Sequence, residues 1–196
     1  MIGAIVLAAG SSSRMGRPKF AMTVGVRGPT FLDAILATLE VSGVSAVRVV
    51  VPPGHERRDS RDVANPDPAA GMLSSVQCGV RALPDGLEAV LVWPVDHPLV
   101  ERGTVVAMVA AFRAGDPPIV VPTHDGRRGH PVLFAARLLP ELLTADPSRG
   151  AVAVVKAHDD RLELAVDDPG ILLDIDTPDD HARHCGALAP SAPEVS

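Results

Sequence analysis

Short runs of aliphatic and β-branched residues alternate along this chain with longer stretches whose apolar positions recur at helical spacing. Ile2–Leu7 reads as a buried first strand and runs directly into a glycine-containing loop. Thr30 is placed to cap a helix over Phe31–Val41, and Ala46–Val51 reads as the next strand, closed by Pro52-Pro53-Gly54. Residues 54–68 are polar, with Arg57, Arg58 and Arg61 among several acids, and read as a loop or short helix. A helix is predicted over 73–82 and a third strand over 88–92, followed by Trp93-Pro94-Val95-Asp96-His97-Pro98. Helical spacing over 101–112 precedes a fourth strand at 118–121 and a polar loop at 123–131. Val132–Ala135 then returns as a strand. Further on, 138–143 and 150–158 look helical, and 161–166 and 171–174 read as short strands. Thr177-Pro178-Asp179-Asp180 starts a last helix, with a Thr cap, Pro at its first position and acids in its first turn.

Strands alternating with helices imply an α/β domain with a mostly parallel sheet. At 196 residues the chain fits one such domain and can bury a sizeable core. We assign 1–185 to that domain and read 186–196, rich in Ala, Pro and Ser, as a flexible tail. Hydrophobic residues make up 46% and charged residues 21%, as in an ordinary globular protein. Four Phe, one Trp and no Tyr leave few stacking platforms for nucleic-acid bases. A net charge of −6 argues further against a nucleic-acid partner, because binding a polyanion needs a basic face. Cys78 and Cys185, far apart and in no C-x-x-C pair, read as reduced thiols. The N-terminus lacks the pattern of a signal peptide, and no run approaches the ~18 apolar residues of a membrane span. The expectation is a cytoplasmic protein without a membrane partner.

An acidic protein that binds a strong anion must gather positive charge locally. The loop after the first strand does so. Leu7-Ala-Ala-Gly-Ser-Ser-Ser-Arg-Met-Gly-Arg-Pro-Lys19 holds two glycines, three serines and three cations. It has neither the G-x-x-x-x-G-K-[ST] spacing of a P-loop nor the G-x-G-x-x-G of dinucleotide folds, which counts against a nicotinamide oxidoreductase. Loops at the carboxyl edge of a sheet present N–H groups to phosphate, and a triphosphate carries about four charges for Arg14 and Lys19 to meet. The run Leu7-Ala8-Ala9-Gly10-x-Ser12-x-Arg14-Met15-Gly16-x-x-Lys19 resembles the signature of the MobA-like nucleotidyltransferases. The resemblance implies a single three-layer α/β/α domain with a Rossmann-like sheet, of the nucleotide-diphospho-sugar transferase type. It also implies that Leu7, Ala8, Ala9, Gly10 and Ser12 contact the nucleotide while Arg14 and Lys19 hold its triphosphate.

Three later segments extend the resemblance. Gly71-Met72-Leu73-Ser74-Ser75 is similar to the family's base-contacting segment, with Gly71 and Ser75 in that role. By its residues alone it is equally a helix start with capping serines. Asp96 resembles the family's metal-binding Asp, although Val95 stands where the family has glycine. A carboxylate at a strand end suits a hard cation such as Mg²⁺. Leu173-Asp174-Ile175-Asp176-Thr177-Pro178 resembles the late Asp-Ile-Asp-Thr-Pro stretch, and strand alternation would put Asp174 and Asp176 on one face. Asp176 is the choice for the second metal carboxylate, with Asp174 behind it. Arg127-Arg128-Gly129-His130-Pro131-Val132-Leu133-Phe134 is similar to a stretch of the molybdenum-cofactor cytidylyltransferase branch, which makes Arg128, Gly129 and His130 candidates for acceptor binding. His181-x-x-His184 lacks a third ligand nearby, so zinc is not expected.

The reaction so implied is attack of an acceptor phosphate on the α-phosphorus of a nucleoside triphosphate, with Mg²⁺ on Asp96 and Asp176, Arg14 and Lys19 on the phosphates, and pyrophosphate leaving. CTP and molybdopterin are the favoured substrates, with a molybdoenzyme or its chaperone as a further partner. Two other readings stay open: a sugar- or polyol-phosphate nucleotidyltransferase, and a catalytically silent nucleotide-binding assembly partner.

Overall fold

The computed structural model describes residues 1–10, 15–55, 59–146 and 150–186. Arg57, Arg58 and the tail at 187–196 lie outside the described residues, as do Ser12 and Arg14. Among those described, eight strands form one sheet: β1 (Ile2–Leu7), β2 (Ala46–Val51), β3 (Asp62–Ala64), β4 (Ala89–Pro94), β5 (Ile119–His124), β6 (Arg127–Arg128), β7 (Val132–Ala135) and β8 (Leu162–Ala165). Their order is β3-β2-β1-β4-β7-β5-β6, with β8 on β5. The pairs β1–β2, β1–β4, β2–β3 and β5–β8 are parallel; β7 runs antiparallel between β4 and β5. All six residues of β1 are buried, as are all six of β4, because both faces of the sheet are covered.

Among the described residues there are six α-helices: α1 (Phe31–Val41), α2 (Met72–Ala82), α3 (Arg102–Gly115), α4 (Leu139–Thr144), α5 (Ala151–Ala157) and α6 (Pro178–His184). Strand alternation divides the core in two. Ala4, Val6, Val49, Leu91 and Trp93 face α1 and α3, whose Phe31, Ile35, Leu39, Val105, Met108 and Phe112 cover them. Ile5, Val50, Val90, Val92 and Phe134 face the other way, against Leu73 and Val76 of α2, Leu142 of α4 and Val154 of α5. The result is a helix–sheet–helix sandwich, as expected for a mostly parallel sheet. Phe31, Leu32, Ile35 and Leu39 make the apolar stripe of α1, and each such side chain stabilises by about 1.5–3 kcal/mol when fully buried.

Both predicted caps form. Thr30 Oγ1 accepts from Asp33 N at 3.1 Å, and Thr177 and Asp180 build a reciprocal capping box at the start of α6. His181 is fully buried in α6; its ring stacks on Phe31 with centroids 5.8 Å apart, and its Nε2 donates to Thr23 O at 2.8 Å. That packs the late helix against the early part of the chain.

Three expectations need correction. Residues 54–68 contain β3, whose Val63 pairs with Val50; the strand is three residues long, too short for a periodic signal. The polar loop at 123–131 is in part sheet, because β5 runs on to His124, turns over Asp125 and Gly126, and pairs with β6. Residues 171–174 are not a strand. The chain makes a 3-10 turn at Pro169–Leu172 and then runs irregularly, because Asp168 caps that turn by accepting from Gly170 N at 2.8 Å. Elsewhere the boundaries move by a few residues: 138–143 becomes a 3-10 turn at Ala136–Leu138 followed by α4.

Asp168 does more than cap its own turn. Its other oxygen accepts from Glu101 N at 2.9 Å and Thr104 Oγ1 at 2.7 Å, capping α3 from outside the helix. It is 2% exposed, so its loss leaves three donors without this partner, those of Thr104 and Gly170 in buried bonds. Asp168→Ala is expected to lower stability by about 3 kcal/mol, read as a lower urea midpoint with an unchanged slope.

Candidate active site

The parallel strands β1 and β4 end side by side, and a cleft of about 350 Å³ opens beyond their carboxyl ends. Leu7, Ala8, Ala9 and Gly10 line it from β1, and Gly71, Met72 and Ser75 from the start of α2. Lys19, Asp96 and Asp176 supply its charged groups. Apart from Met72, each of these is a candidate read from the motifs, and they come from separate stretches of the sequence. Pro68, Pro94 and Val95 also line the cleft. Neither they nor Met72 have reactive chemistry that would single them out in a sequence. Ser12 and Arg14, outside the described residues, come shortly after Gly10 in the chain.

Local bonding explains how the walls are held. Ala8 N donates to Val50 O at 2.8 Å, extending the β1–β2 ladder one residue before the loop begins. Gly71 sits at φ 101° and ψ 171°, backbone that a side chain resists, and from it α2 starts at the cleft. The first N–H groups of a helix carry partial positive charge, which suits an electron-rich ligand there. After β4, Val95 N donates to Leu7 O at 3.1 Å, and the buried Trp93 indole donates to His97 O at 3.0 Å. Val95 needs no left-handed backbone and packs its side chain into the core at 6% exposure. The valine in place of the family's glycine therefore fits this turn.

The charge centre is compact. Lys19 Nζ lies 2.9 Å from Asp96 Oδ2, bonds Asp176 Oδ1, and stands 4.0 Å from Asp174 Oδ1. Burial works to lower the Lys19 pKa, but the hydrogen bond to Asp176 and the charge of Asp96 outweigh it and raise it above the usual value. Asp174 is pushed up to about 6 by partial burial and by the charges of Asp96 and Asp176. The segment reaches Lys19 through a backbone bond, Ile175 N to Asp96 O at 2.9 Å, and not through strand alternation as the sequence suggests. Asp96, His97 and Asp174 also place one ligand atom each within 4.8 Å of one another. Clustered carboxylates that already hold one cationic group fit a divalent ion, which takes oxygen donors at short range.

His97 and His130 stand behind Asp96. Their rings are 4.8 Å apart, His97 Nε2 is 4.0 Å from Asp96 Oδ1, and neither Nδ1 has a hydrogen-bond partner among the described residues. Burial lowers the pKa of His97, against the pull of Asp96, and takes His130 down to about 4, so His130 is neutral at neutral pH. The acceptor-binding candidates therefore separate. His130 adjoins the charged centre. Arg128 is exposed on β6 and donates to Glu163 through Nε at 2.9 Å and Nη2 at 2.5 Å. Gly129 has a packing reason to be glycine: a Cβ there would lie 2.3 Å from Ile171 O.

Residues 4–162 match the MobA-like NTP transferase domain. The chain belongs to the MobA-like NTP transferase family. It is a nucleotidyltransferase. Among its relatives, this transferase is 29% identical to the molybdenum cofactor cytidylyltransferase of Escherichia coli K12, over 91% of this chain and 93% of that one. It is 32% identical to a molybdenum cofactor guanylyltransferase of Sinorhizobium fredii, over 85% of this chain and 78% of the relative. A solved structure, the manganese complex of Rv0371C from Mycobacterium tuberculosis H37Rv, superposes with a TM-score of 0.73 at 24% identity, covering 95% of this chain and 99% of that one. Transferases of this family typically use a divalent metal. Among the described residues of this one, no helix is long and apolar enough to cross a membrane.

Because the obstacle at Gly129 is backbone, it cannot swing aside. Gly129→Ala is expected to cost about 2–3 kcal/mol of stability by calorimetry. It should also disturb the bond from His130 N to Ile171 O, 2.9 Å long, that seats His130 beside Asp96.

Proposed function

We propose that this nucleotidyltransferase moves CMP from CTP to molybdopterin, a phosphorylated small-molecule acceptor, with Mg²⁺ as its metal and pyrophosphate as the second product. The observation that carries the reading is the cleft, in which the Ala8–Gly10 turn and the start of α2 face Lys19, Asp96 and Asp176. The Arg127–Phe134 stretch and the coverage of the Escherichia coli cytidylyltransferase support the choice of base and acceptor. The guanylyltransferase relative makes GTP the competing nucleotide.

A phosphate acceptor is anionic at neutral pH, so no strong base is needed and the protein's work is positioning and charge neutralisation. Asp96 and Asp176 would hold Mg²⁺, with Asp174 beside them. The bound ion would offset charge on the nucleotide oxygens. Lys19 leaves its carboxylate partners for the triphosphate, which it shares with Arg14. Leu7, Ala8, Ala9, Gly10 and Ser12 seat the nucleotide along one wall, and Gly71 and Ser75 meet its base on the other. His130 faces the acceptor, with Arg128 and Gly129 shaping the loop that carries it. A cytoplasmic setting, with a molybdoenzyme or its chaperone receiving the product, completes the proposal.

The test is a panel of CTP, GTP, ATP and UTP against molybdopterin and several sugar and polyol phosphates, scored by pyrophosphate release and by mass. Transfer from CTP to molybdopterin is expected. No transfer to molybdopterin from any nucleotide overturns the acceptor. Transfer only to a sugar or polyol phosphate moves the enzyme to that class, and no turnover at all supports a silent assembly partner. Asp96→Asn is expected to lower kcat by at least about a thousandfold while nucleotide binding survives. Chelation of divalent ions should silence the wild-type enzyme in the same assay.

A further inference from the structure

We infer that Asn65, a residue outside the cleft, sets the hydrogen-bonding sense of Ser75 so that the serine presents a donor to the nucleotide. The inference rests on the nucleotide reading of the cleft. Asn65 follows β3 directly, is 1% exposed, and is anchored by its own N–H, which donates to Val51 O at 2.9 Å.

Its amide can point only one way. Oδ1 accepts from Asp67 N at 3.0 Å, and a backbone N–H has no acceptor capacity. The reversed amide would set two donors against each other. With Oδ1 so placed, and the Cys78 thiol also directed at it at 3.7 Å, Nδ2 faces α2. Its two hydrogens go to Ser74 Oγ at 2.8 Å and Ser75 Oγ at 2.9 Å. Every polar atom of the side chain is then used.

The two serines use their own protons differently. Ser74 passes its proton back to its helix start, with Gly71 O 2.7 Å away and Asp67 O at 3.1 Å. Ser75 accepts from Asn65 too, but among the described residues its hydroxyl hydrogen has no protein acceptor, and Ser75 lines the cleft. A hydroxyl that accepts from an amide on one side keeps its single proton for the other. An acceptor on the nucleotide, a ring nitrogen or carbonyl oxygen of the base, suits that proton. Asn65 is therefore a positioning residue: it touches no substrate and acts through Ser75.

The proposal has a signature that a merely structural asparagine lacks. In Asn65→Asp the carboxylate only accepts, so both serines turn their protons toward it and the cleft loses its donor. Ser75→Ala removes the donor outright. Each is expected to raise the KM and the dissociation constant for the nucleotide about five- to tenfold, with kcat within about twofold of wild type. Combining them should weaken binding no further than the more impaired single variant. Asn65→Ala, which brings no charge, should give the same non-additive loss and serves if the aspartate variant does not fold.

Binding is measured by calorimetry with CTP and GTP on the full chain, and turnover by pyrophosphate release. Fold-changes that multiply in the double variants overturn the relay, as does tight nucleotide binding in both Asn65 variants. If the wild-type chain binds no nucleotide, the cleft reading fails first and the relay with it, an outcome distinct from a failure seen only in the variants.

Discussion

The site depends on one electrostatic constraint: three carboxylates gathered around the ammonium of Lys19. Asp96, Asp174 and Asp176 reach the centre on two different loops, and like charges at such range repel by several kcal/mol even at an effective dielectric of about 20. Lys19 offsets that repulsion and its own pKa is raised in return, while Asp174 is pushed up by partial burial and by the charges of Asp96 and Asp176. Among the described residues this centre has more carboxylates than cations, which suits a further cation.

The fold's contribution is to hold those groups in place from both sides. Asp96 follows β4, whose six residues are all buried, and its turn is fixed by the Trp93 indole and by the bond from Val95 to Leu7. The acidic segment is fixed from the opposite side. Asp168 clamps the 3-10 turn to the start of α3, Ile175 bonds the backbone of Asp96, and the capping box of α6 begins directly after Asp176. Rigid supports on both sides let a repulsive cluster persist, and preorganised charge of this kind is what transfer of a nucleotidyl group needs from a protein.

Around that centre the wall residues divide by task. The Ala8–Gly10 segment is built of small residues and continues the ladder of the sheet, so it offers mainly backbone to the cleft. The α2 wall is built from side-chain hydrogen bonds that begin at Asn65, outside the cleft. His97 and His130 form a buried boundary behind Asp96, while Arg128 turns aside to Glu163. That leaves His130, and not the exposed arginine, beside the charged centre.

Much of this is legible in the chain itself. β1, α1, β2 and β7 follow from runs of apolar residues, caps and proline-glycine stops, because local periodicity and local hydrogen bonding decide them. Leu7–Gly10, Lys19 and the acids at 96 and 176 are legible as candidates because few residue types suit phosphate or metal, and the structure brings them to one cleft. Tertiary structure decided the rest. β3 exists only because β2 offers it an edge, and residues 171–174 leave the extended form because a buried carboxylate at 168 binds their turn. The roles of Asn65, Gly129 and Arg128 depend on neighbours 10, 42 and 35 residues away. No short window along the sequence joins those neighbours, since only the folded backbone brings them together.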